Sequence, residues 1–223
     1  MIKNYNELES SAQLYKKSLD MQRKKVLVCA GTGCVAGGSL AIYEKIKLLI
    51  KEKGILADID LTKEEEGISV KKSGCHGFCE AGPLVRIEPS NYLYLHVKLE
   101  DCEEIVYKTL KKGKPIERLM YHINDAIYKT QEEIPFYKRQ TRLVLHNCGH
   151  INAENIQEYI ANGGYKAAAK ALAMNPKDIC NLITDSGLRG RGGGGYPTGK
   201  KWSQVLSQSN PVRYVVCNGD EGD

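Results

Sequence analysis

Two short cysteine motifs decide the fold: Cys29-Ala-Gly-Thr-Gly-Cys34 and, forty residues further on, Cys75-His-Gly-Phe-Cys79. They hold four of the eight cysteines in the chain, as two closely spaced pairs. Glycines surround both pairs, and glycine lets the backbone turn its N–H groups toward a neighbouring atom. A sulfur-rich anion is stabilised by such groups, because hydrogen bonds to its sulfurs tune its potential. Two thiol pairs of this kind can bind zinc, form disulfides or hold an iron–sulfur cluster.

The spacing of the cysteines helps to choose among these chemistries. Structural zinc sites and thioredoxin-type redox sites favour pairs with two intervening residues, whereas the gaps here are four and three. Disulfides are disfavoured because nothing in the sequence places the chain outside the cell. A [2Fe-2S] cluster requires four thiolates, which two flexible loops can supply. Spacing therefore favours the iron–sulfur cluster but leaves zinc and unligated thiols open.

The surroundings of the second motif add a family resemblance. Cys29 to Cys34 follows a predicted strand, and Gly74-Cys75-His-Gly-Phe-Cys79-Glu-Ala-Gly-Pro83 precedes a predicted hairpin. This arrangement resembles the thioredoxin-like [2Fe-2S] ferredoxins, the fold of the small iron–sulfur subunit of respiratory complex I, over about residues 24–113. The resemblance implies a [2Fe-2S] cluster with Cys29, Cys34, Cys75 and Cys79 as its ligands.

Composition and charge exclude several other classes of function. Lys and Arg number 32 against 27 Asp and Glu, and the lysine runs carry no interleaved aromatic residues, so we expect no nucleic-acid binding. No apolar run approaches the ~20 residues that a membrane span needs, and the N-terminus lacks the apolar core of a signal peptide. We therefore predict a cytoplasmic protein without a membrane span.

Hydrophobic periodicity predicts an α/β fold for the first half of the chain. Residues 5–22 and 39–53 read as amphipathic helices, and 24–29, 55–61, 68–72, 84–88 and 92–97 read as strands, followed by a helix to residue 112. We expect four parts: an N-terminal amphipathic helix at 1–23, the thioredoxin-like domain at 24–113, a linker at 114–133 and a second domain at 134–223. The linker is expected to contain one short helix near residues 118–130.

A glycine-rich stretch, Gly187-Leu-Arg-Gly-Arg-Gly-Gly-Gly-Gly-Tyr-Pro-Thr-Gly-Lys-Lys-Trp202, follows three predicted short helices. Bare backbone N–H groups can form a nest for an anion, and four nearby Arg and Lys side chains add positive charge. The alternative is a flexible linker, although linkers are rich in Gly and Ser and do not end in such a basic, aromatic sequence. No Gly-Lys-Ser/Thr closes the stretch, and a helix precedes it, so neither a Walker A loop nor a standard dinucleotide fold is indicated. We interpret it as a loop for a phosphate-bearing ligand.

With Asn147-Cys148-Gly149 upstream and Val215-Val-Cys-Asn-Gly-Asp-Glu-Gly222 downstream, this stretch resembles the opening of the FMN- and NADH-binding subunit of complex I and its soluble relatives. The resemblance runs from about residue 134 to the last residue. It implies flavin-binding positions at Gly190, Arg191, Gly192, Gly193, Lys201, Asn218, Asp220 and Glu221. The family usually has Ala and Phe where this chain has Gly194 and Tyr196. The fold predicted for this part is the helical and glycine-rich opening of a complex I-type flavin domain, incomplete in this chain.

The two resemblances together imply an electron-transfer flavin subunit, closest to the beta subunit of electron-bifurcating [FeFe] hydrogenases. The implied cofactors are the [2Fe-2S] cluster, FMN and NAD(H), with [4Fe-4S] clusters expected beyond residue 223. The implied partners are a catalytic hydrogenase subunit and a small ferredoxin-like iron–sulfur subunit, with ferredoxin as a further candidate. Alternatives are the equivalent subunit of an NAD-linked formate dehydrogenase or NADP-reducing hydrogenase, or a non-catalytic docking module. Because the family's later flavin contacts are missing, we expect residues 1–223 alone to bind FMN poorly.

Overall fold

A computed structural model describes residues 2–52, 54 and 67–217 of the chain. The chain forms two compact units, residues 1–164 and residues 165–223. The strand predicted at 55–61, and Asn218, Asp220 and Glu221, lie outside the described residues. In the described part of the chain no helix is long and apolar enough to span a membrane.

Among the described residues, the first unit is built on a four-stranded mixed sheet. Strand β1 (Gln22–Cys29) pairs in parallel with β2 (Gly67–Ser73) and antiparallel with β3 (Val85–Glu88), which forms a hairpin with β4 (Tyr92–Tyr94). The run Val26-Leu27-Val28 on the central β1 is fully buried, because both faces of the sheet are covered. The sheet places the C-terminal ends of β1 and β2 side by side.

Helices of the first unit cover the sheet. α1 (Tyr5–Asp20) precedes β1, and α2 (Thr32–Ala36) and α3 (Ser39–Glu52) follow it. The last helix of the predicted ferredoxin fold begins as α4 (Cys102–Glu104) and continues in a wider π-helical form over Ile105–Lys111. Ile42, Ile46 and Ile50 of α3 pack with Ile105 and Val106 in the main core.

The segment after residue 113 differs from the predicted linker. Instead of a helix near residues 118–130, the structure has a hairpin of β5 (Tyr121–Ile123) and β6 (Ala126–Tyr128), so that prediction is wrong. Asn124 adopts a left-handed φ of 52° in the connecting turn, which asparagine tolerates better than most residues. The segment continues through α5 (Pro135–Lys138) and α6 (Ile156–Ala161), which packs on α1. Residues 114–164 thus belong to the first compact unit, and the division of the chain lies further along than the sequence indicates.

The described residues of the second unit, 165–217, form three helices: α7 (Lys166–Leu172), α8 (Pro176–Asp185) and α9 (Thr198–Leu206). Asn175 caps α8, with its side chain accepting from the Lys177 N–H at 2.9 Å. Helices α8 and α9 pack together through Gly199, where a Cβ would collide with Thr184. The glycine-rich loop joins these two helices.

Candidate functional site

The sheet brings the two cysteine motifs together. Cys29 is the last residue of β1 and lies opposite Ser73, the last residue of β2, in the parallel register. The loop after β2 therefore leaves the sheet beside Cys29 and carries Cys75. Cys34 lies in the short helix α2, and Cys79 opens a 3₁₀ turn, Cys79–Ala81. Both were expected in loops, so the structure corrects that detail, but it brings the four predicted ligands to one end of the sheet.

Three glycines lie directly against the thiols. A Cβ built on Gly31 would lie 2.9 Å from Cys75 Sγ, one on Gly33 would lie 3.3 Å from Cys79 Sγ, and one on Gly82 would lie 2.7 Å from Cys34 Sγ. Gly31 and Gly33, in the first cysteine motif, thus lie against sulfurs of the second motif. Gly82, which follows the second motif, lies against a sulfur of the first. The close approach requires glycine, because side chains at these positions would push the sulfurs apart.

The two cysteine pairs differ in exposure. Cys29 and Cys34 are each only 1% exposed, whereas Cys75 and Cys79 are exposed to solvent. A cavity of about 610 Å³ opens beside Cys75 and is also lined by Gly77, Arg142 and Cys148. A group held by all four thiols would thus be anchored from inside the protein and reachable from outside, as a one-electron relay requires.

Backbone groups act on the sulfurs. Gly77 N–H donates to Cys75 Sγ at 3.3 Å. The backbone of His76 and Gly31 acts to lower the pKa of Cys29, and that of Leu84 acts to lower the pKa of Cys34. The interaction with the Cys34 side chain, with the backbone groups, lowers the pKa of the Cys29 thiol to about 6 despite burial. The same interaction, with burial, raises the pKa of Cys34.

This donor set fits an anionic [2Fe-2S] cluster, because N–H groups directed at sulfur stabilise thiolate ligands. No three His, Cys, Asp or Glu side chains among the described residues are arranged to hold a single metal ion. The four thiols influence one another's pKa values: Cys29 interacts with Cys34 and Cys75, and Cys75 interacts with Cys79.

His76 lies between two predicted ligands and is fully buried. Both of its ring nitrogens have partners outside the group of four thiols. Its Nε2 lies 3.0 Å from Ser73 Oγ and its Nδ1 lies 3.0 Å from Gln131 Oε1. Burial, opposed in part by the Gln131 contact, lowers the pKa of the imidazole to about 4, so the ring is neutral at pH 7. Gly149 packs on the ring, where a Cβ would lie 2.8 Å from Nδ1. His76 therefore joins the second cysteine motif to residues 131–149.

The contribution of residues 131–149 to the site was not predicted from the sequence. Arg142 Nη2 donates to the carbonyl oxygen of His76, and Cys148 Sγ would lie 3.7 Å from a Cβ on Gly74. No local pattern could have identified these contacts, because Arg142 is 66 residues from His76 in the chain. Cys102 and Cys180 are buried, and Cys217 is exposed.

The glycine-rich loop forms a turned structure rather than an extended connection. Its two ends pair through Gly190 N–H and the Tyr196 carbonyl at 2.8 Å, and through Thr198 N–H and the Leu188 carbonyl at 2.9 Å. Gly193 and Gly195 have φ values of 89° and 58°, in the left-handed region that glycine enters readily. A Cβ on Gly192 would meet nothing within 4 Å.

The predicted flavin ligands in the described part of this unit are exposed. Arg191 Nη1 donates to the Arg189 carbonyl at 2.6 Å, and Lys201 lies in the first turns of α9. The loop thus presents open backbone beside basic side chains, as a phosphate-bearing ligand requires.

Two family models match the chain. The model for thioredoxin-like [2Fe-2S] ferredoxins matches residues 6–110, and the model for the Nuo51 FMN-binding domain matches residues 183–223. A solved thioredoxin-like [2Fe-2S] ferredoxin from Aquifex aeolicus is 32% identical; the match covers 43% of this chain and 87% of that one, with a TM-score of 0.35.

Curated relatives are subunits of oxidoreductases. The HndC subunit of the NADP-reducing hydrogenase of Solidesulfovibrio fructosivorans is 50% identical over 86 residues, which are 39% of this chain and 18% of the relative. The F subunit of the NADH-quinone oxidoreductase of Aquifex aeolicus is 49% identical over 81 residues, 36% of this chain and 19% of the relative. The matched part thus spans about a fifth of the length of these relatives.

The fold and the site define a two-part protein, an iron–sulfur domain of ferredoxin type followed by a flavin-binding region. Residues 6–110 belong to the thioredoxin-like [2Fe-2S] ferredoxin family, and residues 183–223 are similar to part of the Nuo51 FMN-binding domain. The fold class and both family resemblances predicted from the sequence are confirmed.

Proposed function

We propose that the chain is part of the flavin subunit of an NAD(P)-linked hydrogenase, in which Cys29, Cys34, Cys75 and Cys79 hold a [2Fe-2S] cluster. The observation that carries the proposal is the meeting of these four thiols, with backbone groups acting on three of them, in a chain that also matches an FMN-binding family. The 50% identity to the HndC hydrogenase subunit supports the choice of a hydrogenase.

The residues of this chain bind and tune the cofactors, which carry the chemistry. When bound, FMN exchanges a hydride with NAD(P)H, and a [2Fe-2S] centre passes single electrons. The backbone groups at Cys29, Cys34 and Cys75 stabilise thiolate sulfur, and the buried pair anchors the centre. In the second unit, Gly190, Arg191, Gly192, Gly193 and Lys201 are proposed to bind FMN, together with Asn218, Asp220 and Glu221.

The subunit is proposed to work within a multi-subunit assembly. We infer a catalytic hydrogenase subunit, a small ferredoxin-like iron–sulfur subunit and ferredoxin as partners, [4Fe-4S] clusters in the rest of the subunit, and electron bifurcation at the flavin with an [FeFe] catalytic site. The HndC relative supports NADP as the nucleotide as readily as NAD. Assaying the whole assembly with each nucleotide, with hydrogen or formate as donor, separates these alternatives.

The decisive test is EPR of the anaerobically purified chain after dithionite reduction, with iron and zinc analysis. We expect a rhombic S = 1/2 signal and about two irons per chain, both lost in Cys34→Ser or Cys75→Ser. Cys217→Ser is the matched control, since Cys217 is as exposed as Cys75 but lies in the other unit. Zinc without a signal, or no metal, would instead indicate a docking module without redox activity.

A further inference from the structure

The most informative group outside the matched ferredoxin residues is Arg142. It follows the family match at residues 6–110 by more than thirty positions, yet its guanidinium lies at the second cysteine motif. The Arg142 Cζ atom lies 5.0 Å from the centre of the Tyr137 ring, a cation–π distance, and Tyr137 is buried beside Cys29 and Cys34 in one hydrophobic cluster. The side chain is thus fixed against the site rather than free in solvent.

One peptide group connects Arg142 to a ligand sulfur. The carbonyl oxygen of His76 accepts a hydrogen bond from Arg142 Nη2. The N–H of the same peptide group belongs to Gly77 and donates to Cys75 Sγ at 3.3 Å. Gly77 has a φ of 78°, a left-handed conformation that suits glycine, and a Cβ there would lie 3.2 Å from Arg142 Nη2.

Hydrogen bonds in such a chain polarise one another. A cation on the carbonyl draws electron density away from the N–H and strengthens its bond to sulfur. The positive charge itself also favours the reduced form of an iron–sulfur centre, which carries one more negative charge. Both effects act in the same direction, toward a higher midpoint potential.

We propose that Arg142 is a positioning residue that raises the potential of the [2Fe-2S] centre by polarising the His76–Gly77 peptide group bonded to Cys75 Sγ. The proposal rests on the proposed function, since it presupposes a cluster on the four cysteines. It assigns a role in that site to a residue outside the ferredoxin family match.

The test is a redox titration of the EPR signal in the whole chain and three variants. Arg142→Gln removes the charge and should shift the midpoint potential downward, with iron content and visible spectrum as in the parent. Arg142→Lys retains the charge but lacks the planar guanidinium, and should give an intermediate potential. Arg139→Gln is the matched control, because Arg139 is exposed three residues earlier and its substitution removes the same charge. It should leave the potential unchanged, particularly at high salt, which screens exposed charges.

Three results would overturn the role of Arg142: a parental potential in Arg142→Gln, an equal shift in Arg139→Gln, or loss of iron from both Arg142 variants, which would make the residue purely structural. Failure of the proposed function gives a different result, since the parent chain would then show no signal to titrate. The two failures are therefore distinguishable.

Discussion

At the scale of single residues, the site depends on close approaches that only glycine permits. Gly82 has a φ of −73°, which any residue adopts, so backbone strain does not require glycine there. Steric contact does require glycine, because a Cβ on Gly82 would lie 2.7 Å from Cys34 Sγ and 3.1 Å from the carbonyl oxygen of Cys79. Both neighbours belong to the cysteine motifs and cannot move without displacing a predicted ligand.

Gly82→Ala therefore tests the geometry of the site. We expect lower iron content and a loss of about 1–3 kcal/mol in the free energy of unfolding, typical of overpacking in a rigid interior. Iron analysis and denaturant titration measure the two effects. Gly194→Ala is the matched control, since a Cβ there would meet nothing within 4 Å. Parental iron content and stability in Gly82→Ala would show that the thiols have room to move apart.

At the scale of secondary-structure elements, a buried ion pair fastens α6 to the sheet. Lys71 on β2 pairs with Glu158 on α6, and their side chains are only 8% and 3% exposed. Glu158 also accepts from the Asn152 N–H at 2.9 Å, and Asn152 forms a β-bridge with Ser73 beside the second cysteine motif. Burial, opposed in part by Glu158, lowers the pKa of Lys71, so Lys71 depends on Glu158 to remain charged.

Glu158→Gln should consequently be strongly destabilising. Without Glu158, Lys71 must either stay buried as an unpaired charge or lose its proton, and removing one partner of a buried pair costs about 3–5 kcal/mol in the free energy of unfolding. Denaturant unfolding of the variant measures this loss. The control is Glu154→Gln, which breaks the neighbouring pair of Lys72 and Glu154, where Glu154 is 63% exposed, and should change stability little. Equal effects of the two variants would contradict a special role for the buried pair.

Some secondary-structure elements of this chain were predictable from local sequence patterns, and others were not. β1 and α3 were predictable, because Val26-Leu27-Val28 is a buried run and Ile42, Ile46 and Ile50 recur at helical spacing. The hairpin of Tyr121–Ile123 and Ala126–Tyr128 was not, since its strands are three residues long and largely exposed, and thus show no burial pattern. Its turn at Asn124-Asp125 was the one usable signal.

At the scale of the whole molecule, the sequence predicted the four cysteines as a site but not the extent of the unit that contains them. Motif spacing and the family resemblance rest on local sequence, and they pointed to Cys29, Cys34, Cys75 and Cys79, which the structure brings to one end of the sheet. The contacts that extend the unit to residue 164 are non-local, and each joins residues more than fifty positions apart: His76 with Gln131, Arg142 with the His76 carbonyl, and Lys71 with Glu158. Such pairings leave no period or motif in a single sequence.

This extent gives a prediction about truncated chains. Residues 1–164 should fold and retain about two irons, whereas residues 1–113, which contain the whole ferredoxin family match, should retain less iron and unfold at a lower temperature. Residues 114–164 supply Ile134 and Tyr137 to the hydrophobic cluster of side chains around Cys29 and Cys34. Burying each of these side chains contributes roughly 1.5–3 kcal/mol to the free energy of unfolding. They also supply Gln131, without which the buried His76 Nδ1 loses its partner.

Iron analysis and thermal unfolding of the two truncated chains, with residues 1–223 as the reference, measure the contribution of this segment. Equal iron content and melting temperature in the two chains would show that residues 114–164 only cover a site that is complete without them. A loss of iron and of thermal stability only in residues 1–113, reproduced in part by Gln131→Ala in the full chain, would show that the domain holding the [2Fe-2S] cluster ends near residue 164. The ferredoxin fold would then include a segment that connects it in sequence to the flavin region.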